Sequence, residues 1–357
     1  MTPHDIVVIA GSAGSVEEMR TLVGGLPSDF PGSLFIVLHT SAEGPSLLAG
    51  ILGRGGLLPV VRPENNEAIR AGHVYVPPAD THLLISPGRI ELGKGPRENG
   101  FRPAADPLFR TAAAAYGPRV VGIVLSGGMD DGTLGLQAIK AAGGVAIVQD
   151  PSEATYPYMP ESALRHVAID HVLKVEAMPR LLMELCRSRP ATGNRRIRHK
   201  HGKGKDLALV GDLATTGPRL AGPPTAFICP ECGGSLWEFK NGSKLHYRCH
   251  VGHAYTADSL VVGQDTSVEE ALWTALRTLD ETAALRRRLA NEARGRKMAH
   301  LAAGYESRAH LIEQRAGVIR KVLLNDDLPK RMRHYGSSKP SRLLSRQSVS
   351  RRNQAAR

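Results

Sequence analysis

The sequence predicts an α/β protein: a doubly wound, mostly parallel, Rossmann-like sheet, followed by a small cysteine-bearing module and a helical hairpin. Three observations lead there. Up to about residue 185, short apolar runs alternate with amphipathic stretches at helical spacing. The runs are apolar throughout, as strands covered by helices on both faces must be. Glycine-rich turns leave several of them, in the manner of strand-to-helix connections in open α/β sheets.

In chain order, Ile6 to Ile9 reads as a strand and 15–25 as a helix with Val16, Met19 and Leu22 on one face. Leu34 to Leu38 is a strand and Pro45 to Gly53 a short helix. Leu58–Val61, Val74–Val76, His82–Ile85 and Arg89–Leu92 form a strand-rich stretch that includes a hairpin. A helix over 106–116 leads into the apolar strand Val120–Leu125, and a helix over 133–142 closes at Gly143-Gly144. The strands Val145–Val148 and His171–Val175 follow, with helices at 160–167 and 177–187. The stretch 188–225 breaks the pattern with the basic, glycine-rich run 195–205 and the prolines 218, 223 and 224. Further on, Thr266 and Ser267 stand three residues before Glu269 and Glu270, a capping-box signature for a helix start. Two stripes then predict a hairpin: Val268, Leu272, Leu276, Leu279 and Ala283, and Leu301, Tyr305, Ile312, Ala316, Ile319 and Leu323. Residues 330–357 hold nine Lys and Arg and no acid, which predicts a disordered basic tail.

The chain has 357 residues, enough for two or three domains. No apolar run approaches the roughly 20 residues of a membrane span, and the N-terminus lacks the basic and apolar regions of a signal peptide. Four cysteines, two of them as Cys-x-x-Cys, fit a reducing cytoplasm and a metal site better than a disulfide framework. The net charge of +12 is unevenly placed: residues 1–185 carry 14 Lys and Arg against 19 Asp and Glu, and residues 186–357 carry 32 against 15. Basicity therefore belongs to the second half alone.

Three apolar strands end in reactive side chains. The first delivers Ser12 in Gly11-Ser-Ala-Gly14, the second delivers His39, and the strand from Val120 leads to Asp130 and Asp131 in a glycine-rich turn. Functional groups of an open α/β sheet collect at the carboxyl ends of its strands. Ser12, His39 and Asp131 thus supply a nucleophile, a base and an orienting carboxylate. Their order is not the Ser…Asp…His of α/β-hydrolases, and Ala10 replaces the first glycine of a G-x-S-x-G elbow. Nucleotide binding at the same turn fits poorly, because the G-x-G-x-x-G spacing is missing and His39 stands where an acid is needed.

Several stretches together resemble the catalytic domain of the chemotaxis receptor methylesterases, the CheB family: Ile9-Ala-Gly-Ser-Ala-Gly14, Val37-Leu-His39, 72–84, Asp106-Pro-Leu-Phe-Arg110, Ser126-Gly-Gly-Met-Asp-Asp-Gly132 and 149–163. The resemblance implies that Ser12 attacks a glutamate methyl ester on a methyl-accepting receptor. His39 takes the serine proton, Asp131 holds the imidazole, and methanol leaves before water frees the acyl-enzyme. It implies glutamine deamidation as a side activity and no cofactor for catalysis. An oxyanion donor is implied in the loop after the Val120 strand, at Gly128 or Met129. Ala13 stands where the family has threonine, and Met129 is one position late. Family members under phosphorelay control have a receiver domain ahead of the catalytic strand. Here that strand begins at residue 5, so the expectation is an enzyme that is constitutive, controlled by its C-terminal half, or controlled in trans.

In the second half, Cys229-Pro-Glu-Cys232 and Cys249-His-Val-Gly-His253 offer four soft ligands on two turns with sixteen residues between them, the spacing of a closed, structural zinc site. His246 and His250 lie near, but His253 has the better spacing. This half resembles a zinc-ribbon-plus-helix extension of some receiver-less family members. The expected organisation is a catalytic domain at 1–187, a basic Gly/Pro-rich linker at 188–225, a zinc-ribbon-like module at 226–258, a helical hairpin at 266–325 and the tail at 326–357. The module is expected to bind a signalling protein, in preference to nucleic acid, for which it has few stacking aromatics. The alternative to an esterase is a weakly active or inactive signalling scaffold that uses the zinc ribbon and helices to bind a protein partner or nucleic acid.

Overall fold

The computed structural model describes residues 4–39, 47–187, 222–241 and 244–324. The linker over most of its length, the run 195–205, and the basic tail lie outside the described residues. The chain divides into two compact units, Met1–Ala271 and Leu272–Arg357.

The first unit opens with β1 (Ile6–Gly11), α1 (Ser15–Gly24), β2 (Ser33–Leu38) and α2 (Leu48–Gly53). The short strands β3 (Val60–Val61), β4 (Glu67–Ala68) and β5 (Val74–Tyr75) precede the hairpin β6 (His82–Ser86) and β7 (Arg89–Gly93). Then come α3 (Ala105–Tyr116), β8 (Val120–Val124), α4 (Thr133–Ala141), β9 (Val145–Gln149), α5 (Tyr158–His166), β10 (His171–Leu173) and α6 (Met178–Arg187). Seven of these strands form one sheet in the order β10-β9-β8-β1-β2-β5-β3, with every pairing parallel. A three-stranded antiparallel sheet, β4-β7-β6, stands apart from it.

The unbroken apolarity of the strands has a direct cause. Val7 and Ile9 of β1 belong to one buried cluster with Met19, Leu22 and Leu182, while Ile6, Val8 and Ala10 belong to another with Phe109, Leu136 and Met159. Successive side chains of a strand point to opposite faces, and here both faces are covered by helices. Burying a Val or Ile side chain contributes about 1.5–3 kcal/mol, so a polar residue on either face of β1 would destabilise the sheet that carries the site.

The cysteine-bearing module is a four-stranded antiparallel sheet in the order β11-β12-β13-β14. Its strands are Pro224–Ile228, Ser235–Asn241, Lys244–Cys249 and Ala254–Thr256. Its core is small: Cys229, Leu236, Tyr247, Cys249, Tyr255 and Leu260.

The long helix α7 runs Ala257–Gly295 and begins ten residues before the start that Thr266 and Ser267 suggest. The capping box lies at Thr256 and Ser259. The Ser259 N–H donates to Thr256 Oγ1 at 3.1 Å and the Thr256 N–H donates to Ser259 Oγ at 2.9 Å. Thr266 and Ser267 sit inside the helix, where their hydroxyls donate back to the carbonyls of Val262 and Gly263.

Within the second unit, α7 and α8 (Ala299–Leu324) make an antiparallel pair. Leu272, Leu276 and Leu279 pack against Ala316, Ile319 and Leu323. Leu301 of the expected stripe is exposed, and the buried positions of α8 are Ala302, Ala309, Ala316 and Leu323, seven residues apart. Three ion pairs run along the flank with the same step: Asp280, Arg287 and Arg294 on one helix meet Arg320, Glu313 and Glu306 on the other. A seven-residue spacing keeps one stripe facing a partner helix over several turns.

Candidate active site

β1 pairs in parallel with both β2 and β8, so the residues leaving these three strands emerge side by side. The ladder continues past the strands: the His39 N–H donates to the Gly11 carbonyl, Leu125 N–H to Ala10 and Ser12 N–H to Ser126. Ser12 is then held from the other side. The backbone N–H and the hydroxyl of Ser15, the first residue of α1, both donate to the Ser12 carbonyl, at 3.2 and 2.8 Å. Gly14 makes the turn between them with a φ of 83°, in the left-handed region that favours glycine.

Ser12 Oγ lies 3.1 Å from Nδ1 of His39, whose Nε2 lies 2.7 Å from Oδ2 of Asp131. An ionised carboxylate only accepts, so Nε2 carries the hydrogen and donates to Asp131, leaving the Nδ1 lone pair for the serine hydroxyl. The imidazole is stacked on Phe101, with ring centroids 3.8 Å apart and planes 5° from parallel.

Asp131 is wholly buried, and its two oxygens accept five hydrogen bonds. Oδ2 takes the His39 proton and the Ala105 N–H at 2.6 Å. Oδ1 takes the N–H groups of Asp106 and Gly132 and the side-chain amide of Asn99 at 3.1 Å. Burial alone would push this carboxyl up, but the His39 hydrogen bond and charge and the N–H groups of Ala105 and Asp106 hold it below the usual range. The neighbouring Asp106 goes the other way. Burial first, and then the negative charge of Asp131, push it well above the ordinary range. The two buried carboxyls are thus pushed in opposite directions.

The family model for the CheB methylesterase matches residues 7–182. A putative protein-glutamate methylesterase/protein-glutamine glutaminase of Leptospira interrogans is 36% identical over 183 residues, which are 51% of this chain and 95% of that protein. The chain belongs to the CheB methylesterase family. A protein-glutamate methylesterase/protein-glutamine glutaminase of Anaeromyxobacter dehalogenans is 37% identical over 51% of this chain and 54% of its own length. The protein-glutamate methylesterase FrzG of Myxococcus xanthus is 34% identical, with 51% of this chain and 55% of its own covered. The crystal structure of the Thermotoga maritima CheB methylesterase catalytic domain aligns at 31% identity with a TM-score of 0.48, over 51% of this chain and 98% of that one.

The segment matching the CheB family holds Ser12, His39 and Asp131, and the fold brings all three together. The loop after β8 carries Gly128 and Met129, the latter at a φ of 61°. The N–H groups of Ser126 and Gly127 just before them donate to Gln149 Oε1 and to the Tyr156 carbonyl. Gly127 also tolerates no side chain, since a Cβ there would lie 2.9 Å from Ser12 Cβ.

Two residues at the site escape sequence reasoning, Asn99 and Phe101. Both belong to a tight turn in which Asn99 and Gly100 have φ of 53° and 80° and Glu98 and Phe101 exchange backbone hydrogen bonds. Asn-Gly is the standard residue pair for such a turn, so the turn was there to be found, though not what it touches. The outer side of this turn meets the cysteine-bearing module. Asn99 N–H donates to the Ala254 carbonyl at 2.7 Å, and Ala254 N–H donates to Arg97. Thr256 N–H and Ser259 Oγ donate to Asn99 Oδ1, at 3.2 and 2.9 Å, and Thr256 Oγ1 donates to Asp130 at 2.9 Å.

In that module Cys229, Cys232, Cys249 and His253 place their ligand atoms within 4.8 Å of one another. His253 presents Nδ1, 3.7 Å from Cys229 Sγ and 3.5 Å from Cys249 Sγ, and Cys232 and Cys249 are 3.7 Å apart. A tetrahedral ion with bonds of about 2.3 Å to sulfur and about 2.05 Å to nitrogen has edges of about 3.8 Å (S···S) and about 3.6 Å (S···N). The donor set fits one four-coordinate metal ion.

Proposed function

We propose that the chain is a protein-glutamate methylesterase of methyl-accepting chemotaxis-type receptors, with Ser12 as nucleophile. The observation that carries the reading is the unbroken hydrogen-bonded chain from Ser12 Oγ through His39 to Asp131. In the reaction Ser12 Oγ adds to the ester carbonyl of a receptor glutamate while its proton passes to His39 Nδ1. The imidazolium that forms is stabilised by the ionised Asp131 across the Nε2–H bond. The resemblance to the family assigns an oxyanion donor to the loop after β8, at Gly128 or Met129. Collapse breaks the ester C–O bond, His39 returns its proton to the leaving methanol, and a water activated by the same imidazole hydrolyses the acyl-serine. The product is free glutamate. The same steps on a glutamine side chain release ammonia.

The three cysteines and His253 are assigned a structural zinc, which supplies a cross-link between two turns of the module and no reacting group. Cytoplasmic residence follows from the receptor reading; among the described residues no helix is long and apolar enough to cross a membrane.

Methanol release from a methylated receptor signalling fragment tests the assignment. Wild type should release methanol and Ser12→Ala should not. Equal silence of both on several receptors would leave the fold as a binding scaffold.

A further inference from the structure

The cysteine-bearing module reaches the acid of the triad through one side chain. The amide of Asn99 has two ends, and each is matched. Its nitrogen donates to Oδ1 of Asp131 and to Oδ2 of Asp106, at 3.1 and 3.2 Å. Its oxygen accepts from Ser259 Oγ and Thr256 N–H. Reversing the amide would set its oxygen against the Asp131 carboxylate and its NH2 against the Thr256 N–H, so the carboxylate and the module together fix which end faces Asp131. The backbone of Asn99 is also held from there: its φ of 53° is an uncommon conformation for a residue with a side chain, and the Ala254 carbonyl takes its N–H.

The rest of the contact has the same address. Glu98, fully enclosed, is paired with Arg110 of α3 at 2.7 Å and faces Arg248 of β13 at 4.0 Å. Arg97 faces Glu231, beside the cysteines, at 3.7 Å. Two residues beyond Asn99, Phe101 lies on the imidazole. Ser12 itself remains partly exposed, so the module sits behind the acid and leaves the nucleophile accessible. It supports the triad without blocking it.

We propose that Asn99 is a positioning residue for the Asp131–His39 pair, and that Ser259 and Thr256 of the C-terminal half orient it, so that the methylesterase chemistry depends on a module outside the segment matching the family. The inference rests on the esterase reading above, and its test separates the two.

In the full-length protein, Asn99→Gly keeps the left-handed backbone and deletes the amide, and Ser259→Ala deletes one donor to it. Both should lower kcat with KM unchanged: Asn99→Gly by about ten- to hundredfold, the size of a hydrogen bond to a charged group, and Ser259→Ala by less. Ser259→Thr, which keeps the hydroxyl, should retain activity. In the double variant Ser259→Ala should cost nothing further, because it acts through Asn99. The low-field proton resonance of the His39 Nε2–H should move in both single variants. A Ser259→Ala protein with wild-type kcat and an unmoved resonance overturns the proposal. So do multiplying losses in the double variant, which would mark Ser259 as a helix cap alone. If wild type itself releases no methanol, the esterase reading fails, and the resonance in the three proteins still decides whether Asn99 positions the pair.

Discussion

At the scale of single residues, the site is governed by how its surroundings shift two buried carboxyls in opposite directions. Asp131 accepts five hydrogen bonds and is held below the ordinary range, while burial and the charge of Asp131 push Asp106 above it. The two therefore act on stability in opposite senses. The depressed carboxyl of Asp131 stabilises the fold above the ordinary carboxylate range, and that contribution is lost as pH falls through its lowered value. The raised carboxyl of Asp106 stabilises the fold below the ordinary range, and that contribution is lost as pH rises toward its elevated value. Asp106→Asn keeps the shape and an acceptor for the Gly135 N–H that now donates to Asp106 Oδ1 at 2.7 Å. It cannot ionise. Melting temperature followed from pH 5 to pH 8 should fall more steeply in wild type than in Asp106→Asn. Parallel curves would show that Asp106 is ionised in the folded protein throughout.

At the scale of elements, the helical pair of the second unit makes its own prediction. Ala316 is buried among Leu276, Leu323 and their neighbours, and its small side chain sets how closely the two helices approach. Ala316→Leu adds three carbons to a packed seam and should destabilise the pair by about 1–3 kcal/mol, read as a lower denaturant midpoint. An unchanged midpoint would mean that the seam has room. This seam also shows what the sequence conceals. The leucines of α7 were legible because they are large and evenly spaced, and so were Ala316, Ile319 and Leu323 of α8, but Ala302 and Ala309 carry no such signal, and Leu301 drew the start of the stripe to an exposed position. The start of α7 was obscured in a similar way, since S/T-x-x-E recurs inside the helix, whereas the box in use is Thr256 with Ser259. The strands that carry the site, β1, β2 and β8, were legible for the opposite reason. Each is a local apolar run stopped by a polar or glycine turn, and parallel pairing alone then collects Ser12, His39 and Asp131. Asn99 was not legible, because its partners stand far along the chain.

At the scale of the whole molecule, the cysteine-bearing module has too little core to fold by burial alone. Six buried residues, two of them cysteines, hold four short strands together, and modules of fewer than about 40 residues usually require a metal or disulfides. All four cysteines are free thiols, so the metal reading carries a clear expectation. The purified protein should contain one zinc per chain, and a strong chelator should remove it and lower the melting temperature. A metal-free protein that melts at the same temperature would reduce the four ligands to a packed cluster. The same experiment bears on the triad, because β14 ends at Thr256, next to the acid.

The long separation within that contact has a consequence for how the protein is made. Asn99 Oδ1 is met by groups that follow it by 157 and 160 residues. A ribosome adding about 5–20 residues each second finishes the triad-bearing sheet well before it supplies Thr256 and Ser259. For roughly 6–26 seconds after Asp131 is added the nascent chain holds its serine, histidine and aspartate without the groups that orient Asn99. Catalytic competence would then arrive with the later half of translation, so that a prematurely terminated polypeptide would be left with a weakened hydrolase.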